Sequence, residues 1–176
     1  MQTVLITGAN GFVGYYLSEQ LLQKNYKVIA TGKGNCRSPF RHENFVYETM
    51  DFTNDESVQQ GFKKHQPQVV VHAGGMSKPD DCELNRDNAF LTNVTGTIYL
   101  LKHAAVCKSF FIFLSTDFIF SGEKEMYAED DEPGPINYYG ETKLLAEAQV
   151  INYAYDWTVV RTVLVYGHPK AGRQNI

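Results

Sequence analysis

Cysteine is scarce in this sequence of 176 residues. Cys36, Cys82 and Cys107 fall in no spaced motif, which argues against a disulfide framework or a cysteine-based zinc module and suits a reducing compartment. The five histidines show no H-x-x-x-H or similar ligand spacing, so no metal is expected. Long apolar runs are missing as well. The longest, Phe110 to Leu114, falls far short of the ~20 residues that span a bilayer. Met1 to Thr7 carries no basic segment, so no signal peptide is expected and the cytoplasm is the expected compartment. A basic excess is lacking too: the net charge is −4, and neither nucleic acid nor an anionic membrane is expected as a partner. No internal repeat or low-complexity segment occurs. At this length one domain with its own core is expected, spanning 1–176.

What is present begins at once. Thr3–Thr7 is a short apolar run that leads into Gly8-Ala-Asn-Gly11-Phe-Val-Gly14, and an amphipathic segment follows to about Lys24. A buried strand, a glycine turn and a helix start suit a dinucleotide pyrophosphate: glycines let the backbone approach the phosphates, and free helix amides face the negative charge. The spacing G-x-x-G-x-x-G is one residue longer than the usual fingerprint, so context must support it. Lys27–Thr31 reads as a second strand, which completes a βαβ unit with the first strand and helix; a polar loop, 32–44, then leads to a short third strand, Phe45–Thr49. Asp55–His65 is helical in pattern, with an early acid and Pro67 as a stop. Gln68–His72 reads as a fully buried parallel strand. A single long helix is expected over 85–107, a fifth strand over 109–114, a loop over 116–136, a helix capped by Asn137 that runs to about Ala154, and a sixth strand over 157–161. Strands alternating with helices predict an α/β fold, a doubly wound parallel Rossmann-type sheet with helices on both faces.

An acid after the second strand would favour NAD by bonding the ribose hydroxyls. Here that stretch reads Ala30-Thr31-Gly32-Lys33-Gly34-Asn35, with no acid. Lys33, and with it Arg37, is placed to face a 2′-phosphate, so NADP(H) is expected to be preferred over NAD(H). Asp51, just past the third strand, fits either contact with the adenine amino group or a capping role.

Tyr139 and Lys143 are four apart and share a helix face. A phenol ionises near ~10, and a nearby ammonium favours the phenolate, making Tyr139 a better proton donor to a carbonyl oxygen. A second such spacing, Tyr166 to Lys170, is interrupted by Gly167 and Pro169, which make a helix there implausible. Tyr138 has the uncharged Thr142 four residues on. At the end of the fifth strand, Ser115-Thr116-Asp117 lies where ligands of open α/β sheets bind, and a hydroxyl there can hold the reacting oxygen. The acidic group Glu129 to Glu132 reads as a solvated loop face, and Phe110, Phe111 and Phe113 read as core.

Taken together, Gly8-x-x-Gly11-x-x-Gly14, Asn93-Val-x-Gly96-Thr97, Ser115-Thr116-Asp117, Tyr139-x-x-x-Lys143 and Arg161 resemble the extended short-chain dehydrogenase/reductase superfamily. The stretch STDFIFSG, followed by Y-x-E-D-D-E-P-x-P-x-x-Y-Y-G-E-T-K, resembles the dTDP-4-dehydrorhamnose reductases within it. The resemblance implies a triad of Thr116, Tyr139 and Lys143, with Asn93 supporting the proton relay. It implies a cofactor site of Gly8, Asn10, Gly11, Phe12, Val13, Gly14, Lys33, Asp51, Phe52, His72, Ala73, Gly74, Tyr139, Lys143 and Arg161. Met76, Ser77, Thr116 and Asp117 would meet the substrate, a nucleotide sugar.

The implied reaction is NADPH-dependent hydride transfer to C4 of a 4-keto-6-deoxy nucleotide sugar. Nucleotide-sugar dehydratases of the superfamily carry an Asp-Glu pair after the threonine, whereas Thr116-Asp117 is followed here by Phe118. Sugar 4-epimerases usually lack the aspartate. Two alternatives stay open: another nucleotide-sugar reductase or epimerase, and a non-catalytic NADP-binding regulatory subunit like the β subunit of methionine adenosyltransferase, which resembles the same reductases. The resemblance also implies a C-terminal substrate lobe of roughly a hundred residues that this chain lacks. A homodimer through helices 85–107 and 138–154 is a further expectation.

Overall fold

Alternate residues of each strand go to opposite sides of one sheet. The structure, a computed structural model, describes residues 1–168. Its strands are β1 (Thr3–Thr7), β2 (Lys27–Gly32), β3 (Phe45–Thr49), β4 (Val69–His72), β5 (Phe110–Thr116) and β6 (Trp157–Thr162). In β1, Val4 and Ile6 join one apolar cluster and Leu5 the other. The same split sends Ile29, Val70, Phe111 and Phe113 to one side, and Val28, Ala30, Val69 and Val71 to the other. Burial on both faces explains why these strands read as continuous apolar runs.

Every strand pair is parallel, and the order is β3-β2-β1-β4-β5-β6. The chain winds outward from β1 to β3, returns to β4 beside β1, and winds outward the other way. That reversal opens a crevice at the carboxyl ends of β1 and β4, where ligands of such sheets bind. Helix α1 (Phe12–Gln23) packs with the Val4 side through Leu22. Helices α2 (Asp55–His65), α5 (Gly96–Cys107) and α6 (Tyr138–Ile151) cover the other face. The expected doubly wound Rossmann-type α/β sheet is therefore present.

Helix starts follow their caps. Asn54 Oδ1 accepts from Ser57 N (2.9 Å) ahead of α2, and Asn137 Oδ1 accepts from Gly140 N (2.9 Å) ahead of α6. Three stretches depart from expectation. The residues after β4 contain a short helix, α3 (Pro79–Leu84), started by a proline in its first turn with Asp80 and Asp81 behind it. The helix expected over 85–107 is not uniform: α4 (Arg86–Phe90) passes through a π-helical turn, Leu91–Thr95, into α5. The π turn carries Asn93, and such turns often mark functional sites. The loop expected over 116–136 begins with a 3-10 turn, Asp117–Ile119. Among the described residues no helix is long and apolar enough to cross a membrane.

Candidate functional site

The glycine turn at the end of β1 is a cradle with no room for side chains. Gly8 takes φ +67°, and a Cβ there would lie 2.7 Å from Ala73 O and from Gly74 Cα. A Cβ on Gly14 would lie 2.4 Å from Gly8 O. Gly11 caps α1 without any side-chain hydrogen bond, so the amides around Phe12 and Val13 at the helix start are not capped from within. A bare helix N-terminus over backbone packed at glycine distance fits a pyrophosphate. Ala73 and Gly74 form the opposite wall because the β4 turn abuts the β1 turn.

Beneath that wall lies His72, which is almost fully buried. Its Nδ1 lies 2.6 Å from Thr7 Oγ1 and its Nε2 lies 3.1 Å from Thr97 Oγ1. Burial pushes its pKa down to about 3, with the Lys143 charge acting the same way. Phe52 is buried too, its ring edge-on to His72 at 5.1 Å. A Cβ on Gly74 or Gly96 would lie 2.7 or 2.6 Å from that ring. Phe52 thus supports the crevice from below. Asp51 Oδ1 accepts from Thr53 N (2.9 Å) and Thr53 Oγ1 (2.6 Å), and pairs with Lys33 Nζ at 3.1 Å. Burial alone would raise its pKa, but the Thr53 hydrogen bonds and Lys33 hold the carboxyl below its ordinary value. Asp51 does not cap α2, a role that Asn54 fills; its carboxylate instead closes a turn onto Thr53.

The second half of the site gathers at the end of β5. Thr116 is buried; its Oγ1 accepts from Phe118 N (3.2 Å) and donates to Asp117 Oδ1 (3.1 Å). Tyr139, in the first turn of α6, lies edge-on to Phe118 at 5.6 Å, with its phenol near Thr116. Lys143, one turn on, is buried and donates from Nζ to Leu114 O at 2.6 Å, over the Phe113 ring at 4.0 Å. Tyr138 faces away: its amide donates to Glu83 and its ring lies under Arg86 at 4.7 Å. Among the described residues the Ser115 hydroxyl, buried beside Thr116, finds no hydrogen-bond partner.

The expected electrostatics of the pair need correction. Burial raises the Tyr139 phenol; Thr116 pulls it down, while Cys82 and Asp117 push it further up. Lys143 is not among the groups that move it. Burial lowers Lys143 itself to about 7, against the opposing pull of Glu147. The ammonium is turned toward the strand carbonyl.

Asn93 is engaged at both ends of its side-chain amide. Its Oδ1 accepts from Met76 N (2.8 Å), and its Nδ2 donates to Met76 O (3.0 Å) and Thr142 Oγ1 (2.9 Å). Thr142 in turn donates to Tyr139 O at 2.8 Å. Asn93 therefore grips the backbone of Met76 and, through Thr142, the start of α6. Met76 and the exposed Ser77 sit between β4 and α3, beside this grip. Thr142 and Thr7 carried no sequence signal, since a threonine at a strand or helix end is ordinary. Cys82, buried under Met76 O, Cys36 and Cys107 are all free thiols.

Arg161 lies apart from the glycine turn. Its Nε and Nη2 donate to the buried Glu147 carboxylate (3.2 and 2.9 Å) and its Nη1 to Glu129 O (2.8 Å). Its guanidinium is therefore committed to α6 and the acidic loop, which gives Glu129 a backbone role beyond a solvated face. Pro169 and Lys170, part of the competing Tyr-x-x-x-Lys spacing, lie outside the described residues. Among the described residues no three His, Cys, Asp or Glu side chains group as metal ligands.

The chain is similar to known proteins along nearly its whole length. Bacillus subtilis spore coat polysaccharide biosynthesis protein SpsK is 34% identical over 169 residues, covering 96% of this chain and 55% of that protein. Methionine adenosyltransferase 2 subunit beta of Rattus norvegicus is 34% identical over 164 residues, covering 93% of this chain and 47% of that one. The dTDP-4-dehydrorhamnose reductase of Bacillus anthracis, solved in complex with NADP, superposes with a TM-score of 0.81 at 30% identity, over 96% of this chain and 56% of that one. The chain thus spans about half the length of the relatives it matches. The RmlD substrate binding domain family matches residues 1–175. With a Rossmann sheet, a glycine cradle and a Thr-Tyr-Lys group on it, the chain belongs to the RmlD substrate binding domain family, within the extended short-chain dehydrogenase/reductase superfamily.

Proposed function

We propose that this chain is the cofactor-binding part of an NADPH-dependent reductase of a 4-keto-6-deoxy nucleotide sugar. One observation carries the reading: Thr116, Tyr139 and Lys143 are drawn together at the carboxyl end of β5, two strands from an uncapped glycine cradle. Gly8, Gly11, Gly14 and the amides at the start of α1 would hold the pyrophosphate. Lys33 and Arg37 would meet the 2′-phosphate, with Ala73 and Gly74 as the facing wall. The nicotinamide, when bound, supplies the hydride.

The chain's own residues do the rest. Tyr139 gives its phenol proton to the carbonyl oxygen as charge develops there, and Thr116 holds that oxygen in line. A raised phenol keeps its proton at neutral pH, which suits a donor. Lys143, poised near neutrality, is available to the nicotinamide ribose and to return a proton to Tyr139. Met76, Ser77 and Asp117 border the sugar. The similarity to a dTDP-4-dehydrorhamnose reductase supports the substrate class.

The test is NADPH oxidation with a dTDP-4-keto-6-deoxyhexose, with the product analysed at C4. Cofactor binding without turnover would favour the second reading, a non-catalytic regulatory subunit, which the likeness to methionine adenosyltransferase 2 subunit beta supports. We extend the proposal to a homodimer through α5 and α6, which expose Ile98, Leu145 and Ile151. A monomer mass at micromolar concentration would overturn that part.

A further inference from the structure

The loop after β2 is exposed and polar, yet three side chains from outside it hold its backbone. Asn10, in the glycine turn, accepts at Oδ1 from Arg37 N (2.9 Å) and donates from Nδ2 to Asn35 O (3.1 Å). The same Nδ2 donates to Tyr47 Oη at 2.8 Å. Tyr47, on β3, passes its own hydroxyl hydrogen to Gly34 O (3.1 Å), and Thr49 Oγ1 donates to the same carbonyl (3.3 Å). Both hydrogens of the Asn10 amide and the single hydrogen of the Tyr47 phenol are therefore used in one assembly. Gly32 leaves space for it, since a Cβ there would lie 3.1 Å from Tyr47 Oη and 3.3 Å from Asn10 Nδ2. Gly34 takes φ +74°, a conformation the loop needs to turn its carbonyl inward.

We infer that Asn10 and Tyr47 set cofactor choice as positioning residues, clamping the backbone of residues 34–37 where Lys33 and Arg37 meet a 2′-phosphate. The inference rests on the cofactor reading proposed above and adds to it how the selectivity is held. NADP and NAD differ only at the group that lies beyond the second strand, so whatever orders that loop acts on one nucleotide and not the other. An unclamped loop would have to be ordered at the moment of binding, and that entropy cost would fall on NADPH alone. The clamp is made of backbone acceptors and donors in the loop, so it is indifferent to which side chains the loop carries. The Tyr47 phenol agrees with this placement: burial raises it, Asn10 lowers it, and the Arg37 charge is near enough to lower it as well.

The experiment titrates NADPH and NADH separately, by nucleotide fluorescence, into the unmodified chain and into Tyr47→Phe and Thr49→Val. Tyr47→Phe removes the hydrogen bonds to both Asn10 and Gly34 and should weaken NADPH binding about 3- to 10-fold. NADH binding should move by less than about twofold, and Thr49→Val should shift the ratio the same way by less. Tyr47→Phe keeps the ring and Thr49→Val lies at the exposed end of β3, so one of the two remains readable if the other folds poorly. Equal weakening of both nucleotides, or an unchanged ratio with NADPH still bound, would overturn the clamp and leave the cofactor reading standing. An unmodified chain that binds neither nucleotide would overturn both.

Discussion

Thr97 fixes the tautomer of His72. The Thr97 hydroxyl spends its one hydrogen on Asn93 O at 2.7 Å, so at its 3.1 Å contact with His72 Nε2 the imidazole must donate. His72 Nδ1 is then the acceptor for Thr7, whose oxygen in turn receives Gly74 N–H at 3.2 Å. A directed chain of hydrogen bonds therefore runs from the amide of the cofactor wall to the carbonyl of the π turn, and a neutral imidazole is its middle link.

That neutrality sets a pH dependence of stability. His72 is held to about 3 by burial, against an ordinary 6.5. Below 6.5 the unfolded chain takes up a proton that the folded chain refuses. The contribution is complete above about 6.5 and is lost as pH falls toward 3, at up to about 1.4 kcal/mol per pH unit. Urea unfolding between pH 4.5 and 6.5 should show this slope, and His72→Gln should remove up to one proton of it. An identical slope in the variant would refute the assignment.

Lys143 runs the same sign over a higher window. Its folded value of about 7 lies below an ordinary 10.5, so its contribution is complete above 10.5 and is lost as pH falls through 7. Lys143→Met removes a buried amine whose cost is greatest at the lower pH. Its Tm should exceed that of the parent by about 3 °C or more at pH 6, with a smaller gap at pH 9. Reductase turnover should drop at least about 100-fold. Thermal melts at the two pH values, with NADPH oxidation, check both halves.

The Glu147–Arg161 pair is a buried fork, with the Glu147 side chain 1% exposed. Removing one partner leaves an uncompensated charge, so Glu147→Ala should cost about 3–5 kcal/mol in urea unfolding. Glu147→Leu combined with Arg161→Met should recover most of that loss. NADPH affinity of the double variant should stay near that of the parent, because Arg161 is engaged with α6. A large drop in affinity would restore Arg161 to the cofactor.

In the glycine cradle, Gly14→Ala drives a methyl against Gly8 O and should abolish detectable NADPH and NADH binding together. Lys33→Ala should act on one nucleotide, weakening NADPH about 3- to 10-fold and leaving NADH unchanged. Tighter binding of NADH than NADPH by the unmodified chain would reverse the expected preference.

The strands were legible because burial on both faces makes them continuous apolar runs, and Gly8 to Gly14 was legible because only glycine fits that crossing. Asn137 and Tyr139 followed from capping and helical spacing. The π turn at 91–95 was not, since one extra residue in a helix leaves the apolar pattern nearly intact. Nor was the direction of the Tyr139 shift. Spacing places Lys143 on the same face, but its ammonium reaches back to Leu114 O, and only the folded chain reveals how deeply the phenol is buried. The grip of Asn93 on Met76 joins residues 17 apart through side chain and backbone, a contact for which local patterns carry no mark.

Phe52, wedged between Gly74 and Gly96, ties three distant positions into one mutational unit. A methyl at either glycine must meet the ring, so drift at these sites is expected to be correlated: a larger residue at 74 or 96 becomes acceptable only once 52 has shrunk. Lineages that enlarge residue 74 or 96 are then obliged to re-shape the turn at 52 in the same step.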